Sequence, residues 1–448
     1  MKPVFATARD AVRTQLWPLP VVGVFLAAIA GVWMPHVDAR IDASLPPRFT
    51  ALIFGGDAGA ARTLLDAISS SLITVTSLTF SLTVVTLQLA SSQFSPRLLR
   101  TFTSDAFVQS TLALFLSTFT YSLTVLRAVR SADEPGTAFV PRISVTVAFV
   151  LGVLSVLGLV LFLAHLARQI RVETMLRVVH DDANATVLGF TQPLSDARHE
   201  PEMPAPPVDA IPVAASSSGF LTSIDEAGLC AAAIELDACL VIDCHPGSSV
   251  VKGVPIGVAW PARPGVASEG LDQRLQTAIS DAVGVGYERT AAQDIGYGLR
   301  QLTDVANKAL SPGINDPTTA VHALGHISAI LCQLAERDLG PKVLRDEEDR
   351  IRVVLRRPAF AEMLDLAITQ PRRYGSADPQ VMTRLIRLLE EVAWHASEPT
   401  AVRDQLERVR NTIMETDFDD VELAQLAQAA SRVEHTLEGR YVRDDGRP

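Results

Sequence analysis

Four long stretches of the chain contain no Asp, Glu, Lys or Arg: Thr14–Val37, Ala67–Pro96, Ala106–Leu126 and Ile143–Ala167. Each covers about 20 residues or more, the length an α-helix needs to cross roughly 30 Å of hydrocarbon. Nothing after Ala167 matches them. One such run is compatible with a buried core helix. Four runs near the start of the chain, separated by short charged loops, predict four transmembrane helices. The first run has a rival reading as a signal peptide, because Arg9 and Arg13 precede it and Ala28-Ile29-Ala30 resembles a cleavage site. Its apolar character continues through Val32, Trp33 and Met34, which favours a span.

Within the first run, Gly23, Ala27 and Gly31 recur every fourth residue. Small residues let helix backbones approach closely in lipid, so this stripe predicts a helix–helix contact. The fourth run continues as His165-Leu-Ala-Arg-Gln-Ile-Arg and then Met175-Leu-Arg-Val-Val, a helical pattern that predicts one continuous helix descending into the cytoplasm. Residues 1–190 therefore form a four-helix membrane domain with a helical extension. A linker over 191–218 follows, broken by Pro193, Pro201, Pro204, Pro206, Pro207 and Pro212.

Period-2 patterning then takes over. Residues 219–262 form a small β module, with β-rich runs at Val241-Ile-Asp-Cys, Val250-Val-Lys and Ile256-Gly-Val-Ala. The segment PGSSVVKGVPI is similar to the turn-and-strand unit of lipoyl and biotinyl carrier domains. Those domains carry a modifiable lysine at a hairpin tip, whereas Lys252 reads as lying inside a strand, so a structural module is expected. Residues 263–448 read as mainly helical. The pattern gives one or two helices over 271–310, another over 318–334, a strand near Ile351–Leu355, and helices over 359–369, 380–395, 400–415 and 421–437. Asp316-Pro317 and Asp378-Pro379 each place a capping carboxylate ahead of a first-turn proline. The expected fold class is a membrane α-helical domain plus a cytoplasmic α+β domain, with a small β module and a helical C-terminal part.

Charge divides at the same boundary. The chain holds 39 Lys+Arg and 50 Asp+Glu; residues 1–168 carry 12 and 8 of them, which leaves 27 and 42, a net of −15, for the remainder. So acidic a soluble part argues against nucleic acid as partner, because phosphate backbones need a basic face. Eight Lys and Arg flank the spans on the side of both termini, among them Lys2, Arg9, Arg13, Arg97 and Arg100. The opposite side has six, including Arg40, Arg48 and Arg62. This bias puts the N- and C-termini in the cytoplasm and the chain in the inner (plasma) membrane. Cys230, Cys239, Cys244 and Cys332 show no CxxC spacing.

The second run is unusually rich in hydroxyls. Ser70, Thr74, Ser77 and Ser81 fall on one helical face, which Gln88 continues; Thr76, Thr79, Thr83 and Thr86 form an adjacent stripe. Two explanations stay open. Either the face lines a water-filled path, where hydroxyls replace part of a solute's hydration shell, or each hydroxyl bonds the carbonyl a turn behind it or a neighbouring helix. No carboxylate or lysine is expected within any span, which counts against proton coupling. His165 reads as an interfacial or packing residue.

In the soluble part, Ser311-Pro-Gly-Ile-Asn-Asp-Pro-Thr-Thr combines a tight turn with a polar helix start, so Ser311, Asn315, Asp316 and Thr318 are ligand-binding candidates. A capped, self-satisfied loop is the alternative. His322 and His326 stand one helical turn apart without a further ligand, so no metal site is expected. No Walker loop, nucleophile elbow or dinucleotide fingerprint is present, and neither cofactor nor catalysis is expected.

The segments from Gln88-Leu-Ala-Ser-Ser-Gln-Phe-Ser-Pro to Leu99, Asp294-Ile-Gly-Tyr-Gly, Ser311-Pro-Gly-Ile-Asn-Asp-Pro-Thr-Thr and Arg373-Tyr-Gly-Ser-Ala-Asp-Pro resemble a bacterial family of membrane proteins catalogued as domain of unknown function 2254. The resemblance implies a multi-span inner-membrane protein with a cytosolic domain and supplies no substrate or site residues. Two functions fit. One is a homo-oligomeric ion channel or passive transport protein, with the second span lining the path of an inorganic ion or small solute across the lipid bilayer. The other is a membrane-tethered sensor or scaffold with a ligand- or partner-binding cytoplasmic domain.

Overall fold

Uncharged runs become long helices in the N-terminal part of the computed structural model, which describes residues 15–41, 53–93, 105–130, 139–169, 171–196, 205–263, 271–397 and 399–440. The helices are α1 (Pro18–Ile41), α2 (Ala58–Gln93), α3 (Ala106–Leu126) and α4 (Arg142–Gln169). At about 1.5 Å per residue they run roughly 32 to 54 Å. The expected exit of the second span at Pro96-Arg97 lies outside the described residues, as do Lys2, Arg9, Arg13, Arg48 and Arg100 and the middle of the proline-rich segment.

α3 packs against each of the other three helices. The small-residue stripe of α1 makes its side of that packing. A Cβ on Gly23 would come within 2.5 Å of Ser117 Oγ, and one on Gly31 within 2.7 Å of Thr124 Cβ, so glycine alone permits this approach. Ala27, Leu65, Tyr121, Val125, Val145 and Ala148 form the core around it.

Two helices reach beyond their uncharged runs, and this corrects the expectation of spans free of carboxylates. α1 continues past Val37 to carry Asp38, which is buried. α2 starts at Ala58 and so holds Arg62 and Asp66 in its first turns. Asp38 persists because it is bonded: its carboxylate accepts from the amides of Ile143 (3.0 Å) and Ser144 (2.8 Å) and from the Ser144 hydroxyl (2.6 Å). It thereby satisfies amides at the start of α4 that have no intrahelical partner.

The second compact unit begins at Val172. It opens with α5 (Val172–Phe190), a separate helix from α4, which ends at Gln169, where the sequence pattern predicts one continuous helix; β1 (Ile211–Ala214), β2 (Gly219–Ile224), α6 (Glu226–Glu235), β3 (Ala238–Ile242), β4 (Ser249–Val250) and β5 (Pro255–Pro261) follow. Then come α7 (Leu271–Ala282), β6 (Val283–Gly286), α8 (Tyr297–Ala309), α9 (Pro317–Ala335), β7 (Lys342–Arg345) and β8 (Ile351–Leu355). Four helices close the chain: α10 (Phe360–Tyr374), α11 (Pro379–His395), α12 (Thr400–Met414) and α13 (Asp420–Leu437).

The strands form a five-stranded sheet of order β1-β5-β3-β8-β7 and a three-stranded sheet of order β4-β2-β6. Only β3 and β8 pair in parallel, with Leu240 opposite Val353 and Ile242 opposite Leu355. α6 and α7 contribute Leu229, Leu275 and Ile279 to the core with Leu221, Leu240, Ile242 and Val353. Three details differ from the sequence reading. β1 sits in the proline-rich segment, where Pro212 is tolerated because β1 is an edge strand. β6 interrupts the helical pattern of 271–310, since Gly284 and Gly286 allow close approach to Thr222 and Ser223. Lys252 stands exposed in the turn joining β4 to β5, where Gly253 takes φ +81°, and not inside a strand.

α9 is packed by α5, α8, α10 and α11. Ala320, Ala323, Leu324, Ile327, Leu331 and Leu334 are fully buried there. Five helices among the described residues are nonetheless long and apolar enough to cross a membrane: α1, α2, α3, α4 and α9.

Candidate functional site

α2 presents two polar faces of different character. Thr79, Thr83 and Thr86 are buried against the rest of the bundle. Ser70, Thr74, Ser77, Ser81 and Gln88 are exposed on the outside of it. At about 100° per residue these five lie within roughly 40° of one line along the helix. Ile73 and Phe80 flank that line on one side and Leu78 and Val85 on the other, all of them exposed. The outer face is therefore a hydroxyl stripe set between apolar margins.

Spacing gives the stripe a second property. Ser70, Thr74, Ser77, Ser81, Val84 and Gln88 alternate by four and three residues, the repeat of a left-handed helix–helix seam. Four of the seam residues, Ser70, Thr74, Ser77 and Ser81, are small, as at close contacts between helices in lipid. Their hydroxyls are satisfied locally: Ser70 donates to the Asp66 carbonyl (2.8 Å), Thr74 to Ser70 (3.2 Å) and Ser77 to Ile73 (2.9 Å). Such bonds remove the donor's cost in lipid and leave the oxygen lone pairs facing outward.

The other candidate group lies in the loop between α8 and α9. Asn315 adopts φ +49° and Pro312 and Gly313 face solvent. Asp316 caps α9, accepting from the Thr319 amide (3.1 Å) and hydroxyl (2.6 Å), and its own amide donates to the Ala309 carbonyl (2.8 Å). The bonds from Thr319 hold the Asp316 carboxyl below its ordinary value. Ser311 Oγ donates to the Lys308 carbonyl at 2.6 Å. The loop thus brings Ser311, Asn315, Asp316 and Thr318 together, but the Asp316 and Ser311 side chains are already used in closing the turn. Asn315 and Thr318 are exposed.

The His326 ring lies 5.1 Å from that of His180 of α5, tilted by 59°. No group of three or more His, Cys, Asp or Glu among the described residues is placed to hold a metal. His165 joins a cluster that the sequence did not disclose. Its Nε2 lies 2.7 Å from Asp105 Oδ2, and the Gln169 side-chain amide donates to the same oxygen. Asp105 also caps α3 through the Phe107 amide (2.7 Å). This cluster and Asp38 fasten opposite ends of α4 to the bundle. The available signal was positional: both carboxylates stand at the margin of an uncharged run.

A family model described as a predicted membrane protein, domain of unknown function 2254, matches residues 13–391. Uncharacterized proteins of Mycobacterium bovis and of two Mycobacterium tuberculosis strains are each 36% identical over 441 residues, covering 96% of this chain and 82% of the relative. No solved structure matches the chain. Apolar helices of membrane-crossing length imply a lipid bilayer environment. The chain belongs to the family of predicted membrane proteins catalogued as domain of unknown function 2254.

Proposed function

We propose that the chain is a four-span inner-membrane protein, with both termini in the cytoplasm, whose copies assemble into a passive path for a small ion or solute. In this reading α1 to α4 span the bilayer and α9 is a core helix of the soluble unit. Support for that division comes from the partners: α9 is enclosed by α5, α8, α10 and α11 of the second compact unit, whereas α3, buried to a similar extent, is covered by α1, α2 and α4, which are themselves mostly exposed. The excess of Lys and Arg on the side of the termini supports the orientation. No catalytic step is part of the reading.

One observation carries the permeation reading. The stripe of Ser70, Thr74, Ser77, Ser81 and Gln88 lies on the outside of the single-chain bundle. A path through one copy would place it inside. A polar stripe facing outward is matched in a bilayer by the same stripe of other copies, with the apolar margins sealing neighbours and the hydroxyls turned to a shared axis. The second reading, a sensor or scaffold, is favoured by the intrahelical bonds of Ser70, Thr74 and Ser77, which let the seam close dry.

Flux into liposomes containing the purified protein tests the choice. The permeation reading expects flux of a small ion that Thr74→Phe, Ser77→Phe or Ser81→Phe lowers by about tenfold or more with the oligomer retained, since a bulky ring fills a narrow path. Flux no greater than in protein-free liposomes sinks it. Efficient Ser77→Cys cross-linking between copies in that event supports the dry seam.

A further inference from the structure

Parallel strands β3 and β8 lie side by side and end at Ile242 and Leu355. In open sheets the carboxyl ends of parallel strands are where ligands sit, because loops diverge there and leave a crevice. Here the crevice is a narrow cleft with about 50 Å³ of free space, lined among others by His245, Glu226, Lys342, Arg356, Arg357 and Phe190. Lys342, Arg356 and Arg357 against Glu226 give its lining a formal charge of +2 with His245 neutral. The surrounding residues 169–448 carry 27 basic and 42 acidic groups, so the cleft stands out by sign.

The cations are unequally compensated. Lys342 Nζ pairs with Glu226 at 2.5 Å. Arg357 donates only to backbone carbonyls, of Phe190 (3.0 Å) and Asp338 (3.2 Å). Arg356 is exposed, and no carboxylate among the described residues lies within ion-pair distance of either arginine. The neighbouring carboxylate Asp294 is closed by Arg289 at 2.6 Å. Burial pulls the Arg357 guanidinium below its ordinary value, outweighing the opposing charges of Asp338 and Glu226, neither of which pairs with it directly. The two carbonyls orient its planar fork and leave further N–H donors free.

We propose that this cleft binds the phosphate group of a small soluble anion, held by Arg356 and Arg357 with Lys342 and His245 at its margin. A dianionic phosphate matches the lining charge, and its tetrahedral oxygens accept the forked donors that arginine offers. The free volume is of the order that one such group requires. The proposal does not depend on the permeation reading.

Calorimetric titration of the full chain in detergent, at constant ionic strength, with inorganic phosphate and separately with glycerol 3-phosphate, tests it. Saturable binding of one ligand per chain is expected. Arg356→Glu should weaken it by at least about tenfold, the loss of one charge-assisted hydrogen bond, and Arg356→Gln by less. Lys252→Glu, at an exposed lysine outside the cleft, should change it by no more than about twofold, the scale of a screened surface charge. The tighter of the two ligands distinguishes free phosphate from a phosphate ester. No saturable heat with either ligand, or equal losses in Arg356→Glu and Lys252→Glu, overturns the proposal.

Discussion

α4 and α9 are both apolar enough to cross a membrane, yet their surroundings are opposite. Val156, Leu157, Val160 and Leu161 of α4 stand 55–63% exposed. Leu324, Ile327 and Leu331 of α9 are completely covered by α5, α8, α10 and α11. Composition alone reports that a helix avoids water; it does not report whether lipid or protein takes water's place. The difference lies in the partners, and partners come from distant parts of the chain.

The largest expected effect breaks this comparison directly. Ile327→Asp puts a carboxylate among fully buried apolar side chains. The expected cost is on the order of 4 kcal/mol, enough to unfold a marginal domain. Limited proteolysis should then degrade the second compact unit. Val156→Ser in α4 should leave proteolytic protection unchanged, because that side chain is 63% exposed and has little protein packing to lose. Equal sensitivity at the two sites would mean that α4 is packed like α9.

Next in size is Asp38→Ala. The amides of Ile143 and Ser144 would lose a charged acceptor in a place water does not reach, at a cost of about 2–3 kcal/mol. Thermal unfolding in detergent should register it, with Asp38→Asn intermediate because its carbonyl still accepts one bond. If both variants unfold with the wild type, the cap does not hold α4 to α1.

How much of this was legible follows from the range of each interaction. The uncharged runs disclosed α1 to α4 because crossing lipid is a property of one segment. Asp316 and Asp378 disclosed the starts of α9 and α11 because capping acts within three residues. The parallel pairing of Leu240 with Val353 left no local trace, and neither did the meeting of His245, Lys342 and Arg356 in one cleft. The hydroxyl face of α2 was readable as a pattern, but which of its stripes faces outward depends on where α3 packs.

A smaller effect is expected from acid. Asp346 is buried, which alone would raise its pKa, but bonds from the Arg350 amide and from the Arg352 and Arg350 side chains outweigh this and hold it well below the carboxylate range. A folded-state value depressed below about 3.9, the unfolded reference, means a stabilising contribution that is complete above that pH. It is lost as pH falls below about 4 toward the folded value. Tryptophan fluorescence during acid titration should therefore show the second compact unit loosening in that range. Asp346→Asn should be less stable at neutral pH and show a shallower acid dependence.

The smallest effect concerns the inward face of α2. Thr83 and Thr86 donate to the carbonyls of Thr79 (2.8 Å) and Leu82 (2.9 Å), whereas the fully buried Thr79 hydroxyl has no bonding partner among the described residues. Thr79→Val keeps the shape and removes an unsatisfied polar atom, so it should be neutral or stabilise by up to about 1 kcal/mol. Thr83→Val gives up a satisfied bond and should cost about 0.5 kcal/mol. Thermal unfolding should thus rank Thr79→Val at or above the wild type and Thr83→Val below it. The reverse order would mean that Thr79 bonds to something a single chain does not supply, and the inward stripe, rather than the outward one, would then be the face that meets a solute.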